Sequence, residues 1–437
     1  MRVAKQHHRG LGSGPACGCS TAAATSTTTR TFSGRPGRQT FCVGRPAPAT
    51  AEVGVACRVA ARPLQEKGSD EAPKFDVVGF GQAMVDYAGY VSDDFLREVL
   101  SELEAGSGAV HKKGDRIIVS VEELGSVLNK LDSADFKVTT GGSLSNSLVA
   151  LSRLGGSKLD VGMVGLVGSD PVGSFYRAKM DRAGVSFLSE ATHATTGTVV
   201  VLTTPDAQRT MLSHFPDAPS SDEDEVSVLA PGVADTVARS RVLLAEGYLL
   251  ECGPAVVRSL LESMRLAQAH GTLTCLTLSD TSVVNKHKAK LWRAIREEGL
   301  VDIVFANASE AVALTGEAAP EAAALALAQH TRVVSVVTDG HRGSHLAGMG
   351  ASQLVPPYWM PKGPLDTCGA GDAYAAGALY GLLGGASIRG MGYAGARVSS
   401  TVISQSGARL KAEDAHKLSE VLPMMMYEST RLRRSVR

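Results

Sequence analysis

The chain has 437 residues, of which 44% are hydrophobic and 20% charged, with 44 Lys and Arg against 44 Asp and Glu. That length holds two or three average domains, or one large α/β domain with additions, and the apolar share is that of a globular protein. A net charge of zero supports neither nucleic acid nor a strongly acidic partner.

The first 72 residues are unlike the rest. Arg2, Lys5, Arg9, Arg30, Arg35, Arg38 and Arg45 precede the first acid, Glu52, among many Ser, Thr, Ala, Gly and Pro. Such a composition buries no core, and it lacks the apolar run of a secretory signal. Arg-rich, Ser-rich, acid-poor sequence is that of an organelle transit peptide. The Thr25–Thr29 run and the scattered prolines favour the plastid stroma; a mitochondrial presequence and a disordered cytosolic tail are the alternatives. Ten basic and four acidic residues lie in 1–72, so the remainder carries about six negative charges, and no nucleic-acid partner is expected. No uncharged apolar run reaches the roughly 20 residues that span a bilayer, so no membrane partner is expected either. Cys17-Gly18-Cys19 has no matching second pair. Cys252, Cys275 and Cys368 have no disulfide or metal spacing and read as reduced thiols.

The expected folded body runs over 73–426, before a basic tail at 427–437. Phe75 to Gly81 is a short apolar run ending in glycine, a buried strand. Gln82-Ala83-Met84-Val85-Asp86 follows. An acid at the end of such a strand faces the crevice where α/β sheets bind ligands, although an Asp capping a turn fits the same residues. Asp86 to Thr140 reads as irregular, with helix-like pieces at Asp94–Glu104 and Val121–Leu131. Thr139-Thr140-Gly141-Gly142-Ser143-Leu144-Ser145-Asn146 then opens a helix over Ser145–Leu154, with Ser143 or Ser145 as its cap. The glycine pair lets a ligand lie against the backbone, and Asn146 offers a two-way amide. A plain glycine turn fits equally.

Strand and helix then alternate. Strands are expected at Val161–Gly168, Gly197–Thr203, Arg241–Leu250, Thr272–Ser279, Val301–Ala306 and Val333–Thr338. Helices are expected at Asp170–Ala183, Pro254–His270, Lys286–Glu298, Ser309–Leu314 and Ile388–Ser406. Asp217–Ser227 is an acidic loop. Repeated βα units of this spacing predict a parallel sheet with helices on both faces. Two strand ends carry polar strings. Asn307-Ala308-Ser309-Glu310 reads as a capping box or as a polar site, and Thr338-Asp339-Gly340-His341-Arg342-Gly343 as a hairpin turn or as a turn beneath a ligand.

The most informative stretch is Asp366-Thr367-Cys368-Gly369-Ala370-Gly371-Asp372-Ala373-Tyr374-Ala375-Ala376-Gly377, a turn opening an uncharged small-residue helix that runs through Leu383. Unpaired N–H groups at a helix start and the positive end of its dipole suit an anion. Asp372 lies in the first turn, where a carboxylate can take a proton from a hydroxyl while those N–H groups hold the phosphoryl group under attack. There is no Ser-His-Asp arrangement and no Walker A string.

D-T-x-G-A-G-D resembles the signature of the PfkB carbohydrate kinases, the ribokinase and adenosine kinase group. Asp86, the G-G-x-x-x-N string at Gly141–Asn146, the N-x-x-E string at Asn307–Glu310 and the T-x-G-x-x-G string at Thr338–Gly343 occur in the family's order, over about residues 74–425. The resemblance implies a ribokinase-like three-layer α/β/α sandwich with a mostly parallel central sheet. It also implies a small β lid from about 87–140 and 190–215. The activity implied is transfer of the ATP γ-phosphoryl group to a hydroxyl of a sugar or nucleoside. Asp372 would be the base; Gly369, Ala370 and Gly371 the anion hole; Asp86, Gly141, Gly142 and Asn146 the acceptor site. Thr338, Gly340, Gly343, Thr367, Gln405 and Gly407 would border ATP. Glu310 and Asn307 would act on Mg²⁺ through water, and the family leaves room for a monovalent cation. A monomer or homodimer is expected. Gln82 stands where many relatives carry Asn, and Tyr374 where they carry Phe. Asp86 after G-x-A-x-V, the G-G-S-x-S-N string and Glu246-Gly247-Tyr248 resemble the nucleoside kinases more than the fructokinases. The rival reading is a non-catalytic scaffold on the same fold in a plastid gene-expression complex; the intact Gly369–Asp372 string favours the enzyme.

Overall fold

A computed structural model describes residues 74–131, 136–206, 208–215, 231–348 and 351–431. The segment read as a transit peptide, the acidic loop at 217–227 and residues 432–437 of the basic tail lie outside these.

The chain opens with β1 (Phe75–Gln82) and β2 (Met84–Tyr90), then α1 (Asp93–Ser107), β3 (Arg116–Ile118), α2 (Val121–Lys130) and β4 (Phe136–Thr140). It continues through α3 (Ser143–Gly155), β5 (Val161–Leu166), α4 (Pro171–Arg182), β6 (Val185–Phe187), β7 (Gly197–Thr203) and β8 (Arg209–His214). Then come α5 (Pro231–Ala238), β9 (Ser240–Glu246), α6 (Pro254–His270), β10 (Leu273–Thr277), α7 (Thr281–Trp292), β11 (Ile303–Asn307), α8 (Ala308–Thr315) and α9 (Pro320–Ala328). The chain closes with β12 (Val334–Thr338), β13 (Ser344–Gly348), β14 (Ala351–Val355), α10 (Ala370–Leu383), α11 (Ile388–Ile403) and α12 (Ala412–Arg431).

Nine strands form one sheet in the order β14-β13-β12-β11-β10-β9-β1-β5-β6. It is parallel from β12 through β6; β13 pairs antiparallel with β12, and β14 antiparallel with β13. Both faces are covered. Val77 of β1 joins a core with α3, α4, α10, α11 and α12 on one side. Val78 and Phe80 join a second core with α5 to α9 on the other. A strand buried on both faces must be apolar at successive positions, which is why β1 reads as an unbroken run. The three-layer α/β/α architecture is therefore as expected.

A second sheet, β3-β8-β7-β2-β4, hangs from the first. It is reached directly, because β2 follows β1 after a break at Ala83, whose N–H bonds the Leu166 carbonyl at 2.9 Å. The helices α1 and α2 bury Leu96, Val99, Leu124 and Val127 against its strands. This corrects the reading of 86–140 as irregular: three strands lie there. Asp86 does not end a strand of the large sheet; it lies on β2, opposite Thr139 of β4.

Other boundaries also moved. The strand expected over Arg241–Leu250 ends at Glu246 and passes into a 3₁₀ turn, Gly247–Glu251. The helix expected from Lys286 begins at Thr281, capped by Asp280, and breaks at His287. The helix expected through Ser406 stops at Ile403. The helix α12 runs on to Arg431, into the segment read as a frayed tail. Among the described residues no single helix is long and apolar enough to cross a membrane.

Candidate active site

The two glycine-rich turns meet between α10 and α3. Gly369 is the N-cap of α10 with a φ of 75° and no side-chain cap, so the first N–H groups of the helix have no side-chain partner. A side chain at Gly369 would meet the Ala408 carbonyl oxygen at 2.6 Å. The left-handed conformation costs a non-glycine residue about 1–2 kcal/mol as well. We expect Gly369→Ala to displace the turn, lower the melting temperature and weaken anion binding at the start of α10 by roughly tenfold. A calorimetric nucleotide titration checks this; unchanged affinity would mean that the turn tolerates the shift.

Asp372 accepts hydrogen bonds from the Ser143 hydroxyl at 2.6 Å and from Asn146 Nδ2 at 2.9 Å. Ser147 Oγ donates to the Asp372 carbonyl at 3.1 Å. Ser143, Asn146 and Ser147 all project from the first turns of α3, so this helix cradles the acid. Burial pushes the Asp372 carboxyl above its ordinary range, and the two donors pull it back. A carboxylate whose proton affinity is raised, at a helix start suited to anions, can remove a hydroxyl proton during phosphoryl transfer.

Neither Ser143 nor Ser145 caps α3, contrary to expectation. Gly142 is the N-cap, without a side-chain bond. The N-terminus is served from outside: Leu144 N–H donates to Glu246 Oε2 at 3.2 Å. Glu246, at the end of β9, is 5% exposed. Burial pushes its carboxyl up to about 7, the Asp372 charge adds to this, and the Leu144 N–H and Arg116 oppose it. Because this pKa lies above the ordinary 4.5, the folded state holds a proton that the unfolded chain releases, and stability falls as pH rises from about 4.5 to about 7. Gln keeps an acceptor for Leu144 and removes the titration. The stability of Glu246→Gln relative to wild type should therefore rise between about pH 5 and pH 8, by on the order of 2 kcal/mol. Urea melts at the two values check it; a gap independent of pH would contradict the assignment.

Asp86 stands on β2, beside the glycine turn that opens α3. Its carboxylate lies against Gly141, where a methyl group would overlap it, so Gly141 serves Asp86 directly rather than offering open backbone. Among the described residues none donates a hydrogen bond to Asp86. Burial pushes its carboxyl up to about 7, and Arg409 opposes the shift. Asp86 is thus a partly buried acceptor pair with free lone pairs, the state of a group that awaits donors from a ligand.

Asn307 and Glu310 form a complete capping box on α8: Glu310 N–H donates to Asn307 Oδ1 at 2.9 Å and Asn307 N–H to Glu310 Oε2 at 2.9 Å. Asn307 Nδ2 also donates to Glu310 Oε1, at 2.5 Å. The Glu310 carboxyl is pushed up to about 7, by burial first and then by the Asp280 and Asp372 charges. Among the described residues no three acidic, His or Cys side chains converge closely enough to ligate a metal. Asp280 and Asp372 add negative charge near Glu310, which suits a divalent cation that keeps its own waters rather than three protein ligands.

The remaining predicted positions lie on two turns. Thr338, Gly340 and Gly343 form a hairpin connection from β12 to the antiparallel β13, with a 3₁₀ turn over Gly340–Arg342. Gln405 and Gly407 follow α11. Gln405 is 8% exposed; its Nε2 donates to the Arg409 carbonyl at 2.6 Å, and its Oε1 has no protein partner. Gly407 N–H donates to Asp366 Oδ2 at 3.1 Å, and Cys368 N–H to Asp366 Oδ1 at 3.0 Å. Asp366 thereby ties the 405–409 turn to the start of α10, and Arg209 of β8 reaches it at 3.3 Å. Thr367 is exposed, and its carbonyl accepts from Ala370 N–H at 3.2 Å.

Residues 116–415, more than half of the chain, match the pfkB family carbohydrate kinase. The chain belongs to the pfkB carbohydrate kinase family. It is an enzyme, a phosphotransferase with an alcohol group as acceptor. The 5-dehydro-2-deoxygluconokinase of Bacillus licheniformis is 24% identical over 66% of this chain and 85% of its own length. That of Halalkalibacterium halodurans is 26% identical over 66% and 88%. Among solved structures, the adenosine kinase of Sinorhizobium meliloti superimposes with a TM-score of 0.67 and 28% identity over 80% of this chain and 99% of its own. A probable sugar kinase of Rhizobium etli gives the same TM-score with 25% identity over 80% and 99%. In this pfkB kinase the sequence missed three site residues: Ser143 as a donor to Asp372, Glu246 as the cap of α3, and Arg409, which belongs to no motif. For Glu246 the signal was present, an acid closing a buried strand, the same signal that singled out Asp86.

Proposed function

We propose that this pfkB kinase transfers the γ-phosphoryl group of ATP to a hydroxyl of a nucleoside or sugar, in the manner of an adenosine kinase. The observation that carries the reading is Asp372, at the uncapped start of α10 and held by two donors from α3. Asp86, on β2, would accept two acceptor hydroxyls and turn a third towards Asp372. The α10 N–H groups would hold the transferring phosphoryl group. Gln405 Oε1, buried and unpartnered, together with the two flanking turns, fits the nucleotide base side. Mg²⁺, when bound, would supply charge neutralisation of the phosphates. Glu310 would hold it through water, and Asp280 and Asp372 would add negative potential. The S. meliloti structure favours a nucleoside acceptor, and the curated relatives favour a sugar acid. ATP consumption by the purified protein over nucleosides, hexoses, pentoses and sugar acids decides between them. Turnover with the sugar acids alone would overturn the adenosine kinase-like assignment.

The composition of residues 1–72 supports a plastid-targeted enzyme, which import of a 1–72 fluorescent fusion would test. Net charge supports a small-molecule partner rather than nucleic acid, acting as a monomer or homodimer.

A further inference from the structure

We propose that Arg409 is a positioning residue for the base: its guanidinium fixes the Asn146 amide in the orientation that presents Nδ2–H to the Asp372 carboxylate. The inference rests on the kinase reading above, in which Asp372 takes the hydroxyl proton. An amide side chain is nearly symmetric in shape, and its neighbours decide which end is oxygen. Arg409 Nε lies 3.2 Å from Asn146 Oδ1. A guanidinium has donors only, so the atom facing it must be the carbonyl oxygen. The NH₂ group is then left to face Asp372, at 2.9 Å. Were the amide free to turn, a protonated Asp372 could donate to Oδ1 instead. Arg409 therefore holds the site in the arrangement that favours the ionised, proton-accepting form of Asp372.

The other arm fixes the same turn. Arg409 Nη2 donates to Ser145 Oγ at 2.8 Å. That hydroxyl in turn bonds the carbonyls of Gly141 and Gly142. The Arg409 backbone is itself pinned, through its carbonyl, by Gln405. The charged and titratable groups around the guanidinium are Asp86 on β2, the Tyr176 phenol on α4 and Arg153 on α3. Only the first two favour its charge. A lysine would keep that charge but could not place two N–H bonds at fixed angles on Asn146 and Ser145.

The test uses the full chain, with aspartate carbon-labelled at the side-chain carboxyl and the Asp372 resonance assigned by its loss in Asp372→Asn. In Arg409→Lys the Asp372 titration midpoint should rise by about one pH unit. With the acceptor found in the ATP-consumption screen, kcat at neutral pH should fall severalfold, while the acceptor KM stays close to wild type. In an Asn146→Ala background the same substitution should cost less than about twofold, because the partner it acts through is gone. An unmoved Asp372 titration, a loss confined to KM, or a full loss in the Asn146→Ala background would each overturn the proposal. Arg409→Gln, which keeps a single NH₂ donor group, serves if the lysine variant melts early. If wild type phosphorylates no acceptor, the kinase reading fails while the Asp372 titration still decides the positioning.

Discussion

Replacing Asp372 by Asn is expected to lower kcat by about 10²–10⁴-fold, with nucleotide affinity within a few-fold of wild type. The fold should survive, because the new side chain can keep both neighbours. Its carbonyl can accept from Asn146 Nδ2, and its NH₂ can donate to the Ser143 oxygen once that hydroxyl rotates; both atoms already lie within 2.9 Å of the carboxylate. What is lost is the capacity to take a proton. General-base catalysis of this size corresponds to about 3–5 kcal/mol of barrier. The α10 N–H groups are backbone and stay in place, so the nucleotide constant should hold or tighten slightly as a negative charge leaves the site. Turnover and a nucleotide titration on a variant that melts like wild type measure the two effects. Wild-type turnover would remove Asp372 as the base and leave Gly369–Asp372 as a phosphate-binding turn.

Asp86→Ala should act on the other substrate. The carboxylate has no donor among the described residues and lies near the Arg409 charge. Two charge-assisted hydrogen bonds to an acceptor are worth roughly 1.5–3 kcal/mol each. Their loss should lower kcat/KM for the acceptor by at least about tenfold and leave the ATP KM close to wild type. Burial of Arg409 without its facing acid adds a stability cost, so the melting temperature should fall as well. Steady-state kinetics with each substrate varied in turn checks the assignment. A change confined to the ATP constant would move Asp86 out of the acceptor site.

How much of this was legible in the sequence depended on whether a signal was local. Phe75–Gly81 reads as a strand because both its faces are buried, and Pro254–His270 reads as a helix because Pro opens it and Gly271 closes it in the left-handed region. The start of α10 was legible because an anion-binding turn needs Gly369 where it stands. The strands β2, β3 and β4 were not: they carry charges and become strands through non-local pairing, β2 with β7, β3 with β8 and β4 with β2. The helix α9, Pro-Glu-Ala-Ala-Ala-Leu-Ala-Leu-Ala, has apolar residues on all sides and so shows no period, and α12 carries Pro423 inside it. The asymmetry repeats in the site. Asp372, Asp86, Asn146 and Glu310 stood in strings with recognisable spacing. Arg409 meets Asn146 across 263 positions, a distance that no local pattern spans. The expected serine cap on α3 failed for the same reason, since the group that serves the helix start, Glu246, comes from another strand.

The most direct measurement is phosphorus NMR of the purified enzyme with ATP, Mg²⁺ and each candidate acceptor in turn. A phosphomonoester resonance is expected on one nucleoside or sugar, growing in step with ADP and absent in Asp372→Asn. A folded protein that binds ATP and yields no phosphomonoester on any nucleoside, hexose, pentose or sugar acid, or one whose Asp372→Asn variant forms it at the wild-type rate, would contradict it.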